Sequence, residues 1–404
     1  MRKYSLALLL LPACLVYACG GGDDSAGTDD GGPGGSEGGN TVDGTVFPGQ
    51  DGSVFGVDGS TFGKDSGSAD GGTKDGSVDG GKDANDGAVV FDGNYPYPLP
   101  DGAAAVIQFA GAGTNLNPDY QFLDGVQWVP QFGAVLVSDA ELQGTGTLYK
   151  YSIDAGAPVV LPGYVGKHPI GNGLLADAGF FTGSEDGTLF FSPIDGGPPF
   201  VFSPGFNNKR FNQPNDVVVR NDGFVYATDP DYSGPQALAS TAVFLIRPDA
   251  GVSTVVGPNV GNAKYNGIAF SPDQKLLYVS VTNDTFASTG TILKYTVNAD
   301  GSLTPLGQFI TADGGTATRS GGVDGLTVDD AGNVYVAVSG GVELYNAAGA
   351  FIGFITLTNR NVSSLAFGGA DRRTLFIAAN DTAGQDGKSA LYRIYMNVAG
   401  GVTK

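Results

Sequence analysis

Six segments of the chain repeat one pattern of apolar and polar positions. Each segment begins with a polar residue, continues into a short apolar strand, turns at Asp, Asn or Gly, and returns in a second apolar strand. In QPNDVVVRNDGFVYATDP, residues 213–230, the run Val217–Val219 and the strand 224–227 flank an Asn-Asp-Gly turn. Such a turn supplies the positive φ angles that a tight hairpin needs. The segments begin at Asp124, Asn172, Asn215, Asn266, Asp324 and Ser363.

Most of these hairpins are followed by further strand-like segments, such as TLYKYSI (147–153), AVFLIRP (242–248), TILKYTV (291–297) and VELYNAA (342–348). The units recur about every 40–58 residues, which is typical of propeller blades. No long segment has the periodicity of a helix. We therefore predict an all-β, six-bladed β-propeller over residues 98–404. We expect residues 103–110 to pair with residues 390–396, because closing the ring removes exposed strand edges.

The first 18 residues have the pattern of a secretory signal peptide. Basic residues at positions 2 and 3 precede the apolar run Leu6–Leu11, which is too short to span a bilayer. Val16-Tyr17-Ala18-Cys19 then resembles a lipobox, the bacterial signal for lipidation of the cysteine. We predict a signal peptide over residues 1–18 and lipidation of Cys19. Cys14 is a rival site, and an ordinary signal peptide with no lipid is the alternative.

Residues 19–97 are rich in Gly, Asp and Ser and are predicted to be a disordered linker. From residue 20 onward this stretch has fifteen acidic residues and three lysines, so it carries −12 of the chain's net charge of −20. Such a composition cannot bury enough apolar surface to offset chain entropy. Its Asp-Gly pairs lack the alternating acids of a calcium loop. We expect an exported cell-envelope protein, lipid-anchored to the outer membrane or cell surface, with secretion as the alternative.

The composition of the remaining residues bears on partners and metals. They carry a net charge of about −10 with no basic stripe and no exposed-aromatic RNA motif, which argues against nucleic acid as a partner. The chain has one histidine, and both cysteines lie within the first nineteen residues, so a zinc site of the usual kind is excluded. A serine triad is also disfavoured, because no G-x-S-x-G motif is present.

Four of the repeated motifs resemble a known family. PNDVVVRNDGFVYATDP, YNGIAFSPDQKLLYVS, VDGLTVDDAGNVYVA and LAFGGADRRTLFIAA are similar to blade motifs of the senescence marker protein, gluconolactonase and luciferin-regenerating enzyme family. The similarity covers residues 119–396, nearly the whole of the predicted propeller. It implies a six-bladed propeller with a divalent metal in its central channel, which agrees with the number of repeats.

The resemblance also implies a set of metal ligands, each at the start of a repeat. Asn215, Asn266 and Asp324 match the Asn, Asn and Asp ligands of the family. Asp124 stands where the family has Glu in an E-G-P-x-W segment. Carboxylate and amide oxygens are hard donors that suit calcium, which we expect, or magnesium or another divalent ion. The alternative is that these side chains only cap turns, as Asx residues often do.

The resemblance assigns Asp324 a second role, as the base that takes a proton from water, although it could be a ligand only. Sugar-lactone members carry Arg where this chain has Gln213, so Gln213 is a candidate substrate-binding residue and sugar-lactone specificity is in doubt. His168 is a candidate for substrate binding or proton transfer, with simple solvation as the alternative.

We therefore expect a metal-dependent hydrolase of lactones or related esters, in which a bound cation activates water. The alternative is a non-catalytic propeller lipoprotein that keeps a structural metal and binds a partner. We expect a small-molecule substrate, contact with a membrane only through the lipid, no nucleic-acid partner, and a monomer.

Overall fold

The fold is known from a computed structural model, which describes eleven ranges of the chain. They are residues 104–110, 122–140, 146–152, 158–232, 237–238, 240–249, 251–257, 263–283, 290–312, 322–381 and 388–401. The predicted signal peptide, Cys19 and the predicted linker lie outside the described residues. Within those ranges no helix is both long and apolar enough to cross a membrane.

The described residues form antiparallel sheets joined in sequence order, as the repeats predict. Strand β1 (Ala104–Ala110) precedes the first sheet, which contains β2 (Leu123–Val129), β3 (Ala134–Asp139), β4 (Thr147–Ser152) and β5 (Pro158–Val160). The second sheet contains β6 (Pro169–Leu175), β7 (Gly179–Ser184), β8 (Thr188–Pro193) and β9 (Phe200–Ser203). A single turn of 3-10 helix, Pro130–Phe132, joins β2 to β3.

The third and fourth sheets follow the same plan. The third contains β10 (Val217–Val219), β11 (Val225–Asp229), β12 (Ala242–Ile246) and β13 (Val252–Val256). The fourth contains β14 (Ala263–Phe270), β15 (Leu276–Asn283), β16 (Gly290–Val297) and β17 (Leu303–Ala312). The fifth contains β18 (Leu326–Val328), β19 (Val334–Tyr345), β20 (Phe351–Gly368), β21 (Thr374–Asp381), β22 (Lys388–Tyr395) and β1.

The all-β propeller is confirmed, but the predicted number of blades is wrong. The residues that the structure describes form five sheets, and the fifth has six strands that contain both of the last two sequence repeats. Its strands β19 and β20 are 12 and 18 residues long and pair on both sides of the junction between these repeats, although the register shifts between Ser339, opposite Asn361, and Gly341, opposite Thr356. Gly340 takes a φ of 87°, so the chain bends there without leaving the sheet. The last two repeats therefore share one sheet instead of forming two.

The predicted closure of the ring is confirmed. β1 pairs antiparallel with β22, from Ala104 opposite Arg393 to Ala110 opposite Lys388. The inner strands also touch in a closed cycle, in which β2 lies against β6, β6 against β10, β10 against β14, β14 against β18, β18 against β20, and β20 against β2. The starts of all the repeats therefore meet around one central axis.

Glycine after the first polar residue of a repeat allows this close approach. A Cβ atom at Gly267 would lie 2.4 Å from the carbonyl oxygen of Asp324 on the next inner strand. At Gly125 it would lie 1.8 Å from the carbonyl oxygen of Ile170, and the φ of +57° also favours glycine. The polar-Gly pairs of the sequence thus mark the points where neighbouring inner strands pack backbone to backbone.

Apolar side chains fill the spaces between neighbouring sheets. Trp128 stacks on Phe376 with ring centroids 6.0 Å apart, which joins the first sheet to the fifth. Tyr226 meets Phe270 edge to face at 5.4 Å, which joins the third sheet to the fourth. Aromatic pairs of this kind add about 0.5–1.5 kcal/mol to the stabilisation from burial alone. Trp128 and Tyr226 thus contribute to the packing between sheets.

Candidate active site

A cavity of about 530 Å³ lies where the inner strands meet. Its lining includes Asp124, Asn215, Asn266 and Asp324, the four residues predicted to bind a metal. These residues come from four different sheets, on β2, before β10, on β14 and before β18. The fold therefore brings the four side chains to one cavity, although 200 residues of chain separate the first from the last.

Irregular strand pairing orients two of these four side chains, Asp124 and Asn266. The register between β2 and β3 shifts between Asp124 and Gln127, and the register between β14 and β15 shifts between Tyr265 and Ile268. Such bulges redirect a side chain that regular alternation would place elsewhere. Asp324 is fixed by its backbone, because its N–H donates to the Ala337 carbonyl at 3.0 Å and its own carbonyl accepts from Ser280 Oγ at 2.8 Å.

The state of Asn266 bears directly on metal binding. Its side chain is only 4 % exposed, and Oδ1 has no hydrogen-bond partner among the described residues. A buried amide oxygen without a partner costs about 1–3 kcal/mol, so a cation at this point would relieve a deficit. The donor set of two carboxylates and two amides is also one that hard divalent cations prefer. The residues present therefore fit a calcium-like ion.

Acidic clusters alone would not identify this site. Among the described residues, no group of three or more His, Cys, Asp or Glu side chains is arranged to hold a metal. Only two of the four candidate ligands are acidic, so the amide oxygens of Asn215 and Asn266 have to complete the set.

A third carboxylate, Glu185, also lines the cavity and was not predicted. It follows β7 and is half-buried. The pKa of Glu185 is raised to about 7, chiefly by burial; a hydrogen bond from Gln213 opposes this rise, and the charges of Asp186 and Asp124 add to it. The signal for this residue was present in the sequence, because Glu185 ends the second strand of its repeat. An acid at that position of a hairpin is equally typical of a turn residue.

Gln213 lines the same cavity, but its side chain is engaged by the protein. Nε2 donates to Glu185 Oε1 at 2.9 Å, and Oε1 accepts from the N–H of Tyr232 at 3.0 Å. Its backbone N–H donates to Asp229 Oδ1 at 2.7 Å. Only 2 % of Gln213 is exposed, and hydrogen bonds hold both its side chain and its backbone.

The other sequence-predicted residues have different surroundings. His168 is half-buried in the loop before β6, and it is not among the residues that line the cavity. Its carbonyl accepts the N–H of Glu185 at 3.0 Å. Substrate binding or proton transfer by the His168 side chain stays a prediction.

Two repeat starts without a predicted metal role hold neighbouring blades together. Asn172 Nδ2 donates to the Gly125 carbonyl at 2.7 Å and to Ser138 Oγ at 2.9 Å, and its Oδ1 accepts from Thr182. Ser363 Oγ donates to the Leu123 carbonyl. Because the bonds to Gly125, Ser138 and Leu123 cross between blades, the local turn capping considered as the alternative for the metal ligands does not describe these two positions.

Comparison with known proteins agrees with this geometry. The model of the family described as SMP-30/Gluconolactonase/LRE-like region matches residues 122–381, more than half of the chain. The chain belongs to this family. The match begins two residues before Asp124 and contains all four candidate ligands, Glu185 and Gln213. The resemblance predicted from the blade motifs is therefore confirmed.

Individual relatives of the chain have low sequence identity to it, between 23 % and 29 % for the three that follow. A gluconolactonase of Zymomonas mobilis is 29 % identical over 289 residues, which are 65 % of this chain and 77 % of that protein. The pentonolactonase XacC of Haloferax volcanii is 29 % identical over 176 residues, 43 % of this chain and 54 % of its own. The structure of a gluconolactonase from Xanthomonas campestris superposes with a TM-score of 0.56 at 23 % identity, over 69 % of this chain and 86 % of that one. These relatives support the prediction of a lactonase-type enzyme.

Proposed function

We propose that this protein hydrolyses lactones with the help of a divalent cation in its central cavity. The observation that carries the proposal is that four oxygen-bearing side chains from four sheets line one cavity, and that one of them, Asn266, has a buried oxygen without a hydrogen-bond partner. The family relatives named gluconolactonase and pentonolactonase support a lactone as the substrate.

Asp124, Asn215, Asn266 and Asp324 would hold the cation, and calcium suits their oxygens best. When bound there, a divalent cation would supply a Lewis acid for the carbonyl oxygen of the substrate and lower the pKa of a nearby water. Asp124 has a shorter side chain than the Glu of the family. Lengthening it in an Asp124→Glu variant should keep or increase the affinity for calcium.

Asp324 is proposed to act as the base. Its side chain is half-buried at the cavity, and its backbone is fixed by Ala337 and Ser280, so the carboxylate stays in place while water approaches. A positioned carboxylate that accepts a proton from the attacking water contributes about 10²–10⁴-fold to a rate.

The apolar part of the cavity favours the same reaction. Phe122, Ile170, Val323 and Val362 line it together with the polar groups. Their side chains restrict the water around a bound lactone and strengthen the electrostatic interactions within the cavity.

The proposal is tested by following acid release from D-glucono-1,5-lactone with the full chain, first treated with EDTA and then supplied with calcium. We expect activity to depend on calcium and to fall at least about 100-fold in Asp324→Asn. Asp195→Asn, in an exposed turn, is the matched control and should retain full activity. If lactones of several ring sizes are not hydrolysed although calcium binds, the non-catalytic scaffold replaces this proposal.

A further inference from the structure

The cavity contains one carboxylate that the proposed function leaves without a role, Glu185. We propose that Glu185, held in place by Gln213, contacts the substrate and sets its specificity: it accepts a hydrogen bond from a hydroxyl group of a neutral lactone and repels lactones that carry a phosphate or carboxylate. The inference rests on the proposed lactone hydrolysis, and it assigns the choice among lactones to a residue outside the candidate metal ligands.

The first step of the argument concerns Gln213, which was predicted to bind substrate itself. Both ends of its amide are used within the protein, since Nε2 donates to Glu185 and Oε1 accepts from the backbone of Tyr232. The bond from Tyr232 fixes which end of the amide faces Glu185, because an N–H requires the amide oxygen as its acceptor. Gln213 therefore acts as a positioning residue, and the group it presents to the cavity is the carboxylate of Glu185.

The second step concerns the acceptor capacity of Glu185. A carboxylate has two oxygens, and the Gln213 bond occupies Oε1. The other oxygen can accept a further hydrogen bond, and a carboxylate accepts such bonds more strongly than a neutral group does. Hydroxyl groups are the hydrogen-bond donors of a neutral sugar-type lactone. A site built around such a bond discriminates strongly against an analogue that lacks the hydroxyl.

The third step concerns charge. Three carboxylates line the cavity, from Asp124, Glu185 and Asp324, and none of the described lining residues is Lys, Arg or His. If Asp124 and Asp324 share a divalent cation, their charges are offset, and above pH 7, where Glu185 is mostly ionised, it remains as a separate negative group. Nothing among the described ion pairs neutralises it. Like charges in a partly buried cavity repel strongly, so Glu185 should weaken the binding of anionic substrates.

The test compares three substrates: D-glucono-1,5-lactone, its 6-phosphate, and δ-valerolactone, which has neither hydroxyl nor phosphate. In Glu185→Gln we expect kcat/KM for the phosphorylated lactone to rise at least about 10-fold relative to the unphosphorylated sugar lactone. The preference for the sugar lactone over δ-valerolactone should fall by about the same factor. Asp195→Asn is the matched control, because this exposed acid does not line the cavity and should leave both ratios unchanged.

A second variant separates positioning from charge. Gln213→Leu removes the bond to Glu185 but leaves its charge, so KM for the sugar lactone should rise several-fold while the phosphorylated lactone stays a poor substrate. Ratios in Glu185→Gln that equal those of the wild type and of Asp195→Asn would overturn the inference even if lactones are hydrolysed.

Binding gives a readout that does not need hydrolysis. D-glucono-1,5-lactam and its 6-phosphate are titrated calorimetrically into the calcium-loaded full chain and into Glu185→Gln. The inference requires the wild type to prefer the unphosphorylated lactam and the variant to lose most of that preference. If hydrolysis fails but this preference is found, only the proposed reaction is wrong. An equal preference in both proteins would reject the role of Glu185.

Discussion

Asp229 offers a quantitative test of how burial shapes this site. It ends β11 and is fully buried, where Oδ2 accepts from the N–H of Asn212 at 3.0 Å and Oδ1 accepts from the N–H of Gln213 at 2.7 Å. Its pKa is raised to about 7, chiefly by burial; the two backbone hydrogen bonds oppose this rise, and the charge of Asp231 adds to it. This carboxyl group therefore connects the stability of the fold to the loop that carries Gln213.

The sign of the pH dependence follows from proton uptake. With a pKa near its ordinary 3.8 when unfolded and about 7 when folded, Asp229 binds more protons in the folded state throughout that interval. Its contribution to stability is therefore fully present below pH 3.8 and is lost as the pH rises toward 7 and through it. Between pH 5 and pH 8 the free energy of unfolding should fall by about 2.5 kcal/mol because of this one group.

The assay is urea unfolding of the wild type and of Asp229→Asn at pH 5 and pH 8. The difference in the free energy of unfolding between pH 5 and pH 8 should be about 2.5 kcal/mol smaller in the variant than in the wild type, since an amide does not titrate. Glu185, whose pKa burial also raises, contributes in the same direction but is common to both proteins. The reasoning is refuted if Asp229→Asn keeps the full pH difference of the wild type.

Asn212→Ala is the control for simple destabilisation of the same loop. It removes the bond from Asn212 Nδ2 to the Ser240 carbonyl and the bond that Asn212 Oδ1 accepts from the N–H of Leu238. It should lower stability by a similar amount at both pH values, because no titratable group is changed.

Three further outcomes are expected. Tyr226→Phe should lower the free energy of unfolding, measured in urea, by about 1–3 kcal/mol, because the Gly301 carbonyl loses the hydroxyl that donates to it at 2.7 Å. No change would mean that water replaces the hydroxyl. Asn172→Ala should cost about 2–5 kcal/mol, since three hydrogen bonds of a fully buried side chain are lost, and a loss below 1 kcal/mol would contradict its role between blades. Calcium at about 100 times its Kd should stabilise the wild type by about 2.7 kcal/mol. In a calcium titration of the melting temperature, Asn266→Ala should lose most of this stabilisation. An equal stabilisation of both proteins would exclude Asn266 as a ligand.

The sequence predicts the general fold well because each hairpin of the propeller is a local unit. The alternation around Val217–Val219, the Asn-Asp-Gly turn and the return strand together specify β10 and β11 with no information from other parts of the chain. Convergence of the repeat starts then follows from the ring. Asp124 and Asp324 could thus be assigned to one site before any distance was known, with the family resemblance supplying the choice of residues.

The number of sheets could not be predicted in the same way. Apolar periodicity records which side of a strand is buried, but it does not record whether backbone pairing stops between two strands. In the junction between the last two repeats, β19 and β20 pair on both sides of a register shift, and this merges the two repeats into one sheet.

Glu185 was missed for a related reason. An acid at the end of a second strand looks the same in sequence whether it holds a turn, as Asp229 holds the backbone of residues 212 and 213, or faces a cavity. Only the surrounding fold separates these two environments. Burial among the neighbouring strands raises the pKa of both acids, but only Glu185 lines the cavity.

The closure of the ring has a consequence for the order in which the protein folds. β1 completes the sheet of β22, and the N–H of Leu123 donates to Asn380 Oδ1 across 257 residues of sequence. The middle sheets need only nearby residues, but these closing contacts need both ends of the propeller, and contacts so distant in sequence form slowly. Until the segment of β22 has left the ribosome, the ring remains open with an unpaired strand edge. The chain therefore passes through an interval in which a chaperone, or self-association at that edge, competes with completion of the fold.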